Sequence, residues 1–210
     1  MIKLYGNAPT RTLRVHWLLN ALGLAYEEIP INMMAGEHLS AEFLAINPAG
    51  KVPVLVDGDT VITESSAIQL YLAEKHPEAG LIPESVEERA QMYRWIFFLV
   101  SEIEGPLWRM ARNTAVYPES ERLPQDVKLA ARECKAMLAI LEKHMQGREF
   151  IVGDKISVAD MNAAYILDWA NFAKMLGETP TLRHYLERLY ARPEAPLTIA
   201  QGFAKMQASV

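Results

Sequence analysis

The chain of 210 residues can hold one large domain or two modest ones, and half of its residues are hydrophobic, so it can bury a core. Its net charge of −5 gives no excess of basic residues for binding nucleic acid. A single cysteine excludes an internal disulfide and a paired-cysteine zinc site, and no apolar run is long enough to cross a bilayer. We therefore expect a cytoplasmic protein that binds no metal, no nucleic acid and no membrane.

Strand and helix signals alternate in the first part of the chain. Residues 2–5 read as a short strand, and after a turn the apolar residues recur at helical spacing until Gly23 stops the helix. Residues 24–31 predict a second strand, and a brief helical turn starts at Ser40. A short helix between two strands favours a right-handed unit in which the strands are parallel.

The stretch from Asn47 to Tyr71 carries the most specific pattern of the sequence. An Asn-Pro-Ala-Gly turn leads into an apolar run, Asp57-Gly58 turns the chain, and a β-branched run follows before the periodicity becomes helical. We expect Ser65 or Ser66 to cap that helix. The element order over the first 76 residues is then β-α-β-α-β-β-α, which predicts a thioredoxin-like domain.

Pro53 stands where a strand should begin, which confines it to a strand end or edge, and its bond with Val52 can be cis. In that case the N–H and C=O of Val52 would be free to pair with an extended ligand. Lys51 precedes this pair, and the helix start at Ser65 and Ser66 offers hydroxyls and unpaired N–H groups for a carboxylate. An extended ligand with a carboxylate at each end would fit between them.

A linker is expected where the alternating pattern stops. Two prolines and one glycine lie within residues 77–83, and no strand pattern follows them. We therefore predict a thioredoxin-like domain over residues 1–76, a linker over 77–86 and an all-helical domain over 87–210.

The helical part contains a long amphipathic stretch over residues 92–110, in which Gly105-Pro106 should introduce a kink. Cys134 falls on the apolar stripe of the next helix, which predicts a core position and not a catalytic thiol. Ser157 and Asp160 have the spacing of a capping box, which predicts a structural role; a catalytic role for Asp160 is the alternative.

The motif Asn47-Pro48-x-Gly50-Lys51-Val52-Pro53, followed by Glu64-Ser65-x-Ala67-Ile68, resembles the glutathione-binding half of the cytosolic, bacterial-like glutathione transferases. The pair Ser157 and Asp160 resembles the folding motif of their helical domain, so the resemblance covers the whole chain. It implies a homodimer in which a thioredoxin-like α/β domain precedes an all-α domain.

The resemblance implies an enzyme that activates the thiol of glutathione, its co-substrate, for attack on small hydrophobic electrophiles. Two alternatives share this fold, namely a glutathione-dependent isomerase or dehalogenase and a non-catalytic glutathione-binding module. The residues that the resemblance assigns to glutathione are Lys51, Val52, Pro53, Glu64, Ser65, Ser66 and His38.

Such an enzyme must ionise a thiol whose ordinary pKa is about 8.5, so a hydrogen-bond donor has to point at the sulfur. The resemblance places this donor just after the first strand. Thr10 is the first candidate and Asn7 the second, while Arg11 could add a positive charge. Alternatively, Thr10 only caps the helix and Asn7 only holds the turn, and Tyr5 or backbone N–H groups activate the thiol.

The electrophile pocket of the family implies roles for Trp108, Arg109 and Arg112, with Tyr117 close by. On this assignment Arg112 would favour an anionic substrate. The alternative is that Trp108 belongs to the core and both arginines are solvated.

Overall fold

The computed structural model describes residues 1–208 in two compact units. The first contains residues 1–82 and 192–208, and the second contains residues 83–191. The sequence assigned everything beyond residue 86 to the helical domain, whereas the structure groups the last helix with the first unit. The physical reason is a close contact between this helix and the turn after the first strand, described below.

The first unit contains a four-stranded mixed sheet. Its strands are β1 Ile2–Tyr5, β2 Tyr26–Ile29, β3 Val54–Asp57 and β4 Thr60–Thr63. Their order is β2-β1-β3-β4, with β1 parallel to β2 and antiparallel to β3. Leu4 of β1 pairs with Leu55 of β3, and both side chains are completely buried. The predicted thioredoxin-like arrangement and its parallel first pair of strands are therefore confirmed.

The described part of the first unit also contains four α-helices, namely α1 Thr12–Ala21, α2 Ala41–Ile46, α3 Ser65–Lys75 and α9 Ile199–Ala208. Helices α1 and α3 are joined by buried polar contacts. The side chain of Gln69 donates to the backbone carbonyl of Arg14 over 2.8 Å, and Arg14 Nη1 donates to Ser65 Oγ over 3.0 Å. These bonds fix the start of α3 against the first turns of α1.

The described part of the second unit is helical. Its helices are α4 Val86–Phe98, α5 Gly105–Ala111, α6 Pro124–Met145, α7 Val158–Phe172 and α8 Pro180–Tyr190. Helix α7 is buried over most of its length, which makes it the core of this unit. Across residues 1–208, the helices all fall short of the length and apolarity that a bilayer span requires.

Two π-helical segments flank α5, over Leu99–Glu104 and Arg112–Val116. The N–H of Gly105 donates to the carbonyl of Val100, five residues back. The predicted interruption is therefore a π segment that begins at Leu99, ahead of the Gly105-Pro106 pair. Pro106 has no N–H to continue the α-helical ladder, which accounts for a change of hydrogen-bond pattern here.

Cys134 lies in the core of the second unit, as its place on the apolar stripe predicted. Its side chain is completely buried in α6, and this burial raises the pKa of the thiol to about 12. A thiol with such a pKa stays protonated at neutral pH and is a poor nucleophile.

Asp160 is the polar centre of the second unit. Its carboxylate is completely buried and accepts hydrogen bonds from the N–H of Ile151 over 2.9 Å, from the N–H and hydroxyl of Ser157 and from the hydroxyl of Tyr185. The capping box with Ser157 is present at the start of α7. Burial raises the pKa of the Asp160 carboxyl, and the donated hydrogen bonds oppose that shift. The carboxylate thus joins α7 to α8 and to the loop that precedes α7.

Candidate active site

Three segments of the first unit meet at Gly6, directly after β1. Gly6 has a φ of +125°, and a Cβ atom there would overlap the hydroxyl of Thr12 and lie 3.0 Å from Cβ of Val52. Glycine is required both by the backbone conformation and by this close approach. The end of β1, the start of α1 and the loop before β3 are therefore held together at one point.

The turn after β1 is closed by a chain of hydroxyl groups. The hydroxyl of Thr10 donates to the carbonyl of Asn7 over 2.6 Å, and its oxygen lies 2.7 Å from the hydroxyl of Thr12. Because the proton of Thr10 is used on Asn7, the Thr12 hydroxyl is the donor in the second bond. Thr12 is completely buried, whereas Thr10 is partly exposed. The two hydroxyl groups therefore lead from the core at Thr12 to the surface at Thr10.

The side chain of Asn7 is only weakly held in the same turn. Its Nδ2 donates to the carbonyl of Ala8 over a long 3.4 Å, while its Oδ1 is buried and has no hydrogen-bond partner among the described residues. A buried polar atom without a partner is unusual and indicates a place for a ligand group or a water molecule. Rotation of the amide would present a donor there in place of the oxygen.

The loop before β3 leaves a backbone edge free at Val52. The Val52–Pro53 bond is cis, and neither the N–H nor the C=O of Val52 makes a hydrogen bond within residues 1–208. Asn47 fixes the loop from behind, because its Nδ2 donates to the carbonyl of Lys51 over 2.7 Å and its Oδ1 accepts from the N–H of Ala49. Val52 therefore offers one donor and one acceptor on a rigid support.

Gly50 of this loop is followed by a cation and packs against the backbone of His38. Lys51 is exposed, and its ammonium contacts no acceptor in the part of the chain that the structure describes. The backbone of His38 packs against Gly50, where an added Cβ would come within 3.1 Å of the His38 carbonyl. The Nδ1 atom of His38 is buried and has no hydrogen-bond partner among the described residues.

The start of α3 lies in the same unit and has an unusual backbone. Glu64, which precedes it, has a φ of +66° and a ψ of +111°, a conformation that costs a non-glycine residue of order 1–3 kcal/mol. The expectation that Ser65 or Ser66 caps this helix was wrong, because the cap position belongs to Glu64. Ser65 is instead buried in the first turn and accepts a hydrogen bond from Arg14.

The residues expected at an electrophile pocket lie together in the second unit. Trp108 is half-buried and meets Trp169 edge to face, with ring centroids 6.2 Å apart. Arg109 forms ion pairs with Asp126 and Glu133, which raise its pKa and hold it on α6. Arg112, the other arginine expected there, makes no ion pair with any described residue.

The family models identify both parts of the chain. Residues 1–74 match the model described as "Glutathione S-transferase, N-terminal domain", and residues 91–193 match "Glutathione S-transferase, C-terminal domain". A "Glutathione S-transferase 1" from Dianthus caryophyllus is 37% identical over 176 residues, which cover 81% of this chain and 78% of that protein. The chain belongs to the glutathione transferase family.

Solved structures of the family agree with this fold. Glutathione transferase F7 from Populus trichocarpa superposes with a TM-score of 0.84 at 26% identity, over 96% of this chain and 99% of that one. The theta class enzyme from Xanthomonas axonopodis pv. citri, with glutathione bound, gives 0.81 at 27% identity over 92% and 94%. Plant and bacterial members of the family are thus both similar to this chain. The comparisons therefore do not favour the expected bacterial type.

Arg14 contacts Ser65, one of the residues predicted to bind glutathione, and the sequence pattern led to no prediction for it. Its side chain is only 1% exposed, and it links α1 to Ser65 at the start of α3. The available signal was an arginine between Leu13 and Val15, on a helix whose neighbouring residues are apolar. A charged residue in such a run is rarely buried without a specific polar contact.

Proposed function

We propose that this chain is a cytoplasmic, homodimeric glutathione transferase that activates the thiol of glutathione for attack on small hydrophobic electrophiles. The observation that supports this most directly is the free backbone edge of Val52 beside the unpaired cation of Lys51. The same loop touches the turn with Thr10 and Thr12 through Gly6. A tripeptide bound along Val52 would therefore have its thiol close to hydroxyl donors.

The two ends of glutathione are assigned to opposite ends of this edge. Its glycyl carboxylate binds Lys51, assisted by Nδ1 of His38, and its cysteinyl backbone pairs with Val52 next to Pro53. Each of these groups is free of partners among the described residues, so binding breaks no existing hydrogen bond.

Its γ-glutamyl end binds at the start of α3, to Glu64, Ser65 and Ser66. The first N–H groups of a helix have no partner within the helix and suit a carboxylate. The costly conformation of Glu64 supports a binding role, because strained residues persist mainly where function requires them.

Thiol activation is assigned to Thr10, with Asn7 as the second candidate. Thr10 can turn its hydroxyl from the carbonyl of Asn7 to the sulfur while still accepting a hydrogen bond from Thr12. A hydroxyl that accepts one hydrogen bond is a stronger donor in the next, so the buried Thr12 supports the activation. Asn7 would act through its rotated amide, since one of its polar atoms is already buried without a partner among the described residues.

Calorimetry with reduced glutathione tests the binding assignment. Hydrogen bonds to charged groups contribute about 1.5–3 kcal/mol, so Ser65→Ala should weaken binding roughly ten- to a hundred-fold. Lys51→Ala should weaken it as well, whereas the control Lys3→Ala, on β1 and paired with Glu27 of β2, should not. Unchanged affinity in both Ser65→Ala and Lys51→Ala would remove the assignment.

Thiolate absorbance against pH tests the activation. Thr10→Val should raise the pKa of bound glutathione and slow its reaction with a chloronitroarene, with little change in affinity. If Asn7→Ala shifts the pKa of bound glutathione and Thr10→Val does not, the donor is the amide of Asn7. If neither variant shifts this pKa, Tyr5 or backbone N–H groups activate the thiol. A wild type that binds glutathione but never reacts would instead be a binding module.

The homodimer has its own test. Phe97 of α4 is 67% exposed and Val100, three residues on, is 37% exposed, so this face of the second unit offers an apolar surface. Light scattering should give twice the chain mass of 23.6 kDa, and Phe97→Lys should lower it towards the monomer value. A monomeric wild type at micromolar concentration would contradict the proposal.

A further inference from the structure

The second unit contains a groove that the proposed glutathione site does not use. It lies between the loop after α6 and one face of α8, and its volume is about 320 Å³. Residues 147–149 of the loop line it, together with Thr181, His184, Tyr185 and Arg188 of α8. All of these residues belong to the second unit. Volumes of about 300 Å³ and above are typical of sites for small molecules.

The groove carries a positive charge in a protein whose net charge is −5. Arg148 and Arg188 contribute two positive charges and Glu149 one negative charge, so the lining residues sum to +1 when His184 is neutral. The guanidinium of Arg188 pairs with the carboxylate of Glu149 and also donates to its backbone carbonyl. Glu149 is therefore engaged by Arg188 and does not pair with Arg148.

Four donor groups along the groove have no acceptor within residues 1–208. They are the guanidinium of Arg148, the imidazole of His184, the hydroxyl of Thr181 and the backbone N–H of Glu149. The N–H of Thr181 is different, because it donates to the carboxylate of Glu142 over 3.0 Å. The free donors of α8 are thus side chains along its face, and the end of the helix is already capped.

The groove has a rigid support. Tyr185 is only 2% exposed, and its hydroxyl donates to the buried carboxylate of Asp160. The loop is held at both of its ends, because the N–H of Arg148 donates to the carbonyl of Met145 over 3.0 Å and the side chain of Phe150 is buried. A ligand that binds here requires little reorganisation of the backbone.

We propose that this groove binds a small phosphomonoester, whose phosphate accepts hydrogen bonds from Arg148, His184, Thr181 and the N–H of Glu149. A phosphate group has three strong acceptor oxygens, so it can satisfy all four donors, whereas a carboxylate has two. Arginine binds phosphate through two parallel hydrogen bonds. This inference goes beyond the proposed transferase function and does not depend on it.

Calorimetric titration with phenyl phosphate, in a phosphate-free buffer of low ionic strength, tests the inference. The wild type should bind one molecule per chain, and the absence of saturable binding would overturn the inference. Arg148→Gln should weaken binding about ten-fold and His184→Gln about three-fold. The matched control is Arg132→Gln, which removes an exposed arginine of α6 that does not line the groove, and it should change the affinity less than about two-fold. Melting temperatures establish that each variant is folded.

Glu149→Gln should act in the opposite direction. It removes the negative charge from the lining residues, while Arg188 can still donate to the backbone carbonyl at position 149. The affinity for phenyl phosphate should therefore rise about two- to five-fold. If Arg148→Gln and Arg132→Gln weaken binding equally, the net charge alone attracts the ligand, and the inference is wrong.

Three companion titrations define the ligand. Benzoate should bind at least about ten-fold more weakly than phenyl phosphate, and equal binding would contradict the assignment to phosphate. Inorganic phosphate should also bind more weakly, and equal binding would assign the groove to free phosphate in place of an ester. Saturating glutathione should leave the affinity for phenyl phosphate unchanged, because competition would place this ligand in the glutathione site. If the protein binds phenyl phosphate but conjugates no electrophile, the transferase proposal fails and this inference stands.

Discussion

Removal of the Asp160 carboxylate should destabilise the second unit without affecting chemistry. Asp160→Ala leaves four buried donors without this acceptor, namely the N–H groups of Ile151 and Ser157 and the hydroxyls of Ser157 and Tyr185. Each such donor costs about 1–3 kcal/mol, so the loss should be at least about 4 kcal/mol. This is a large part of a total stability that is typically about 5–15 kcal/mol.

Urea denaturation at a fixed protein concentration measures this loss. Tyr185→Phe removes a single donor and leaves the other bonds of Asp160 in place, so it should cost only about 1 kcal/mol. Asp154→Ala, an exposed aspartate in the same loop, is the matched control and should stay within about 0.5 kcal/mol of wild type.

Turnover separates this structural role from a catalytic one. Folded Asp160→Ala protein, assayed well below its melting temperature, should conjugate glutathione at nearly the wild-type rate per folded molecule. A variant that melts like wild type but has lost activity would refute the reasoning, because the buried carboxylate would then act in the reaction.

Three further predictions follow from burial and close packing. Gly202→Ala places a Cβ 2.8 Å from Cβ of Pro9, so it should lower both melting temperature and turnover, whereas Gly105→Ala, whose nearest atom is 3.9 Å away, should do neither. Cys134, with a pKa of about 12, should react with an aromatic disulfide only in urea. Burial lowers the pKa of His144 in the folded protein below its ordinary value of about 6.5. The free energy of unfolding should therefore decrease as the pH falls from about 6.5 through the lowered pKa. The urea midpoint of His144→Gln should decrease less over the same pH range.

The sequence was sufficient for the sheet because its signals are local. The turn at Asp57-Gly58 and the β-branched run after it determine β3 and β4, and Gly23 marks the end of α1. The second strand is shorter than expected, Tyr26–Ile29 in place of residues 24–31, because strand ends carry little pattern. The grouping of α9 with the first unit rests on the packing of Gly202 against Pro9. These two residues are far apart in the chain, and no local sequence pattern indicates that they are in contact.

The site could be predicted where backbone chemistry is tied to residue type. Proline and glycine identified the loop around Val52, and its unpaired N–H and C=O agree with that reading. The positive φ of Glu64 has no such signal, because the residue is not glycine. Ser65 was misread as a cap, since a serine at a helix start usually caps it. Its actual partner, Arg14, lies 51 residues away in the chain.

The buried side of α1 connects the two ends of the proposed glutathione site. Thr12 supports the hydroxyl of Thr10, and Arg14, two residues on, holds Ser65 at the start of α3. The carbonyl of Arg14 is in turn bound by Gln69, one turn further along α3. Because the two contacts of Arg14 are buried, the proposed thiol donor and the proposed γ-glutamyl end would be held in a common frame. Binding then requires little reorganisation, which lets more of the interaction free energy appear as affinity.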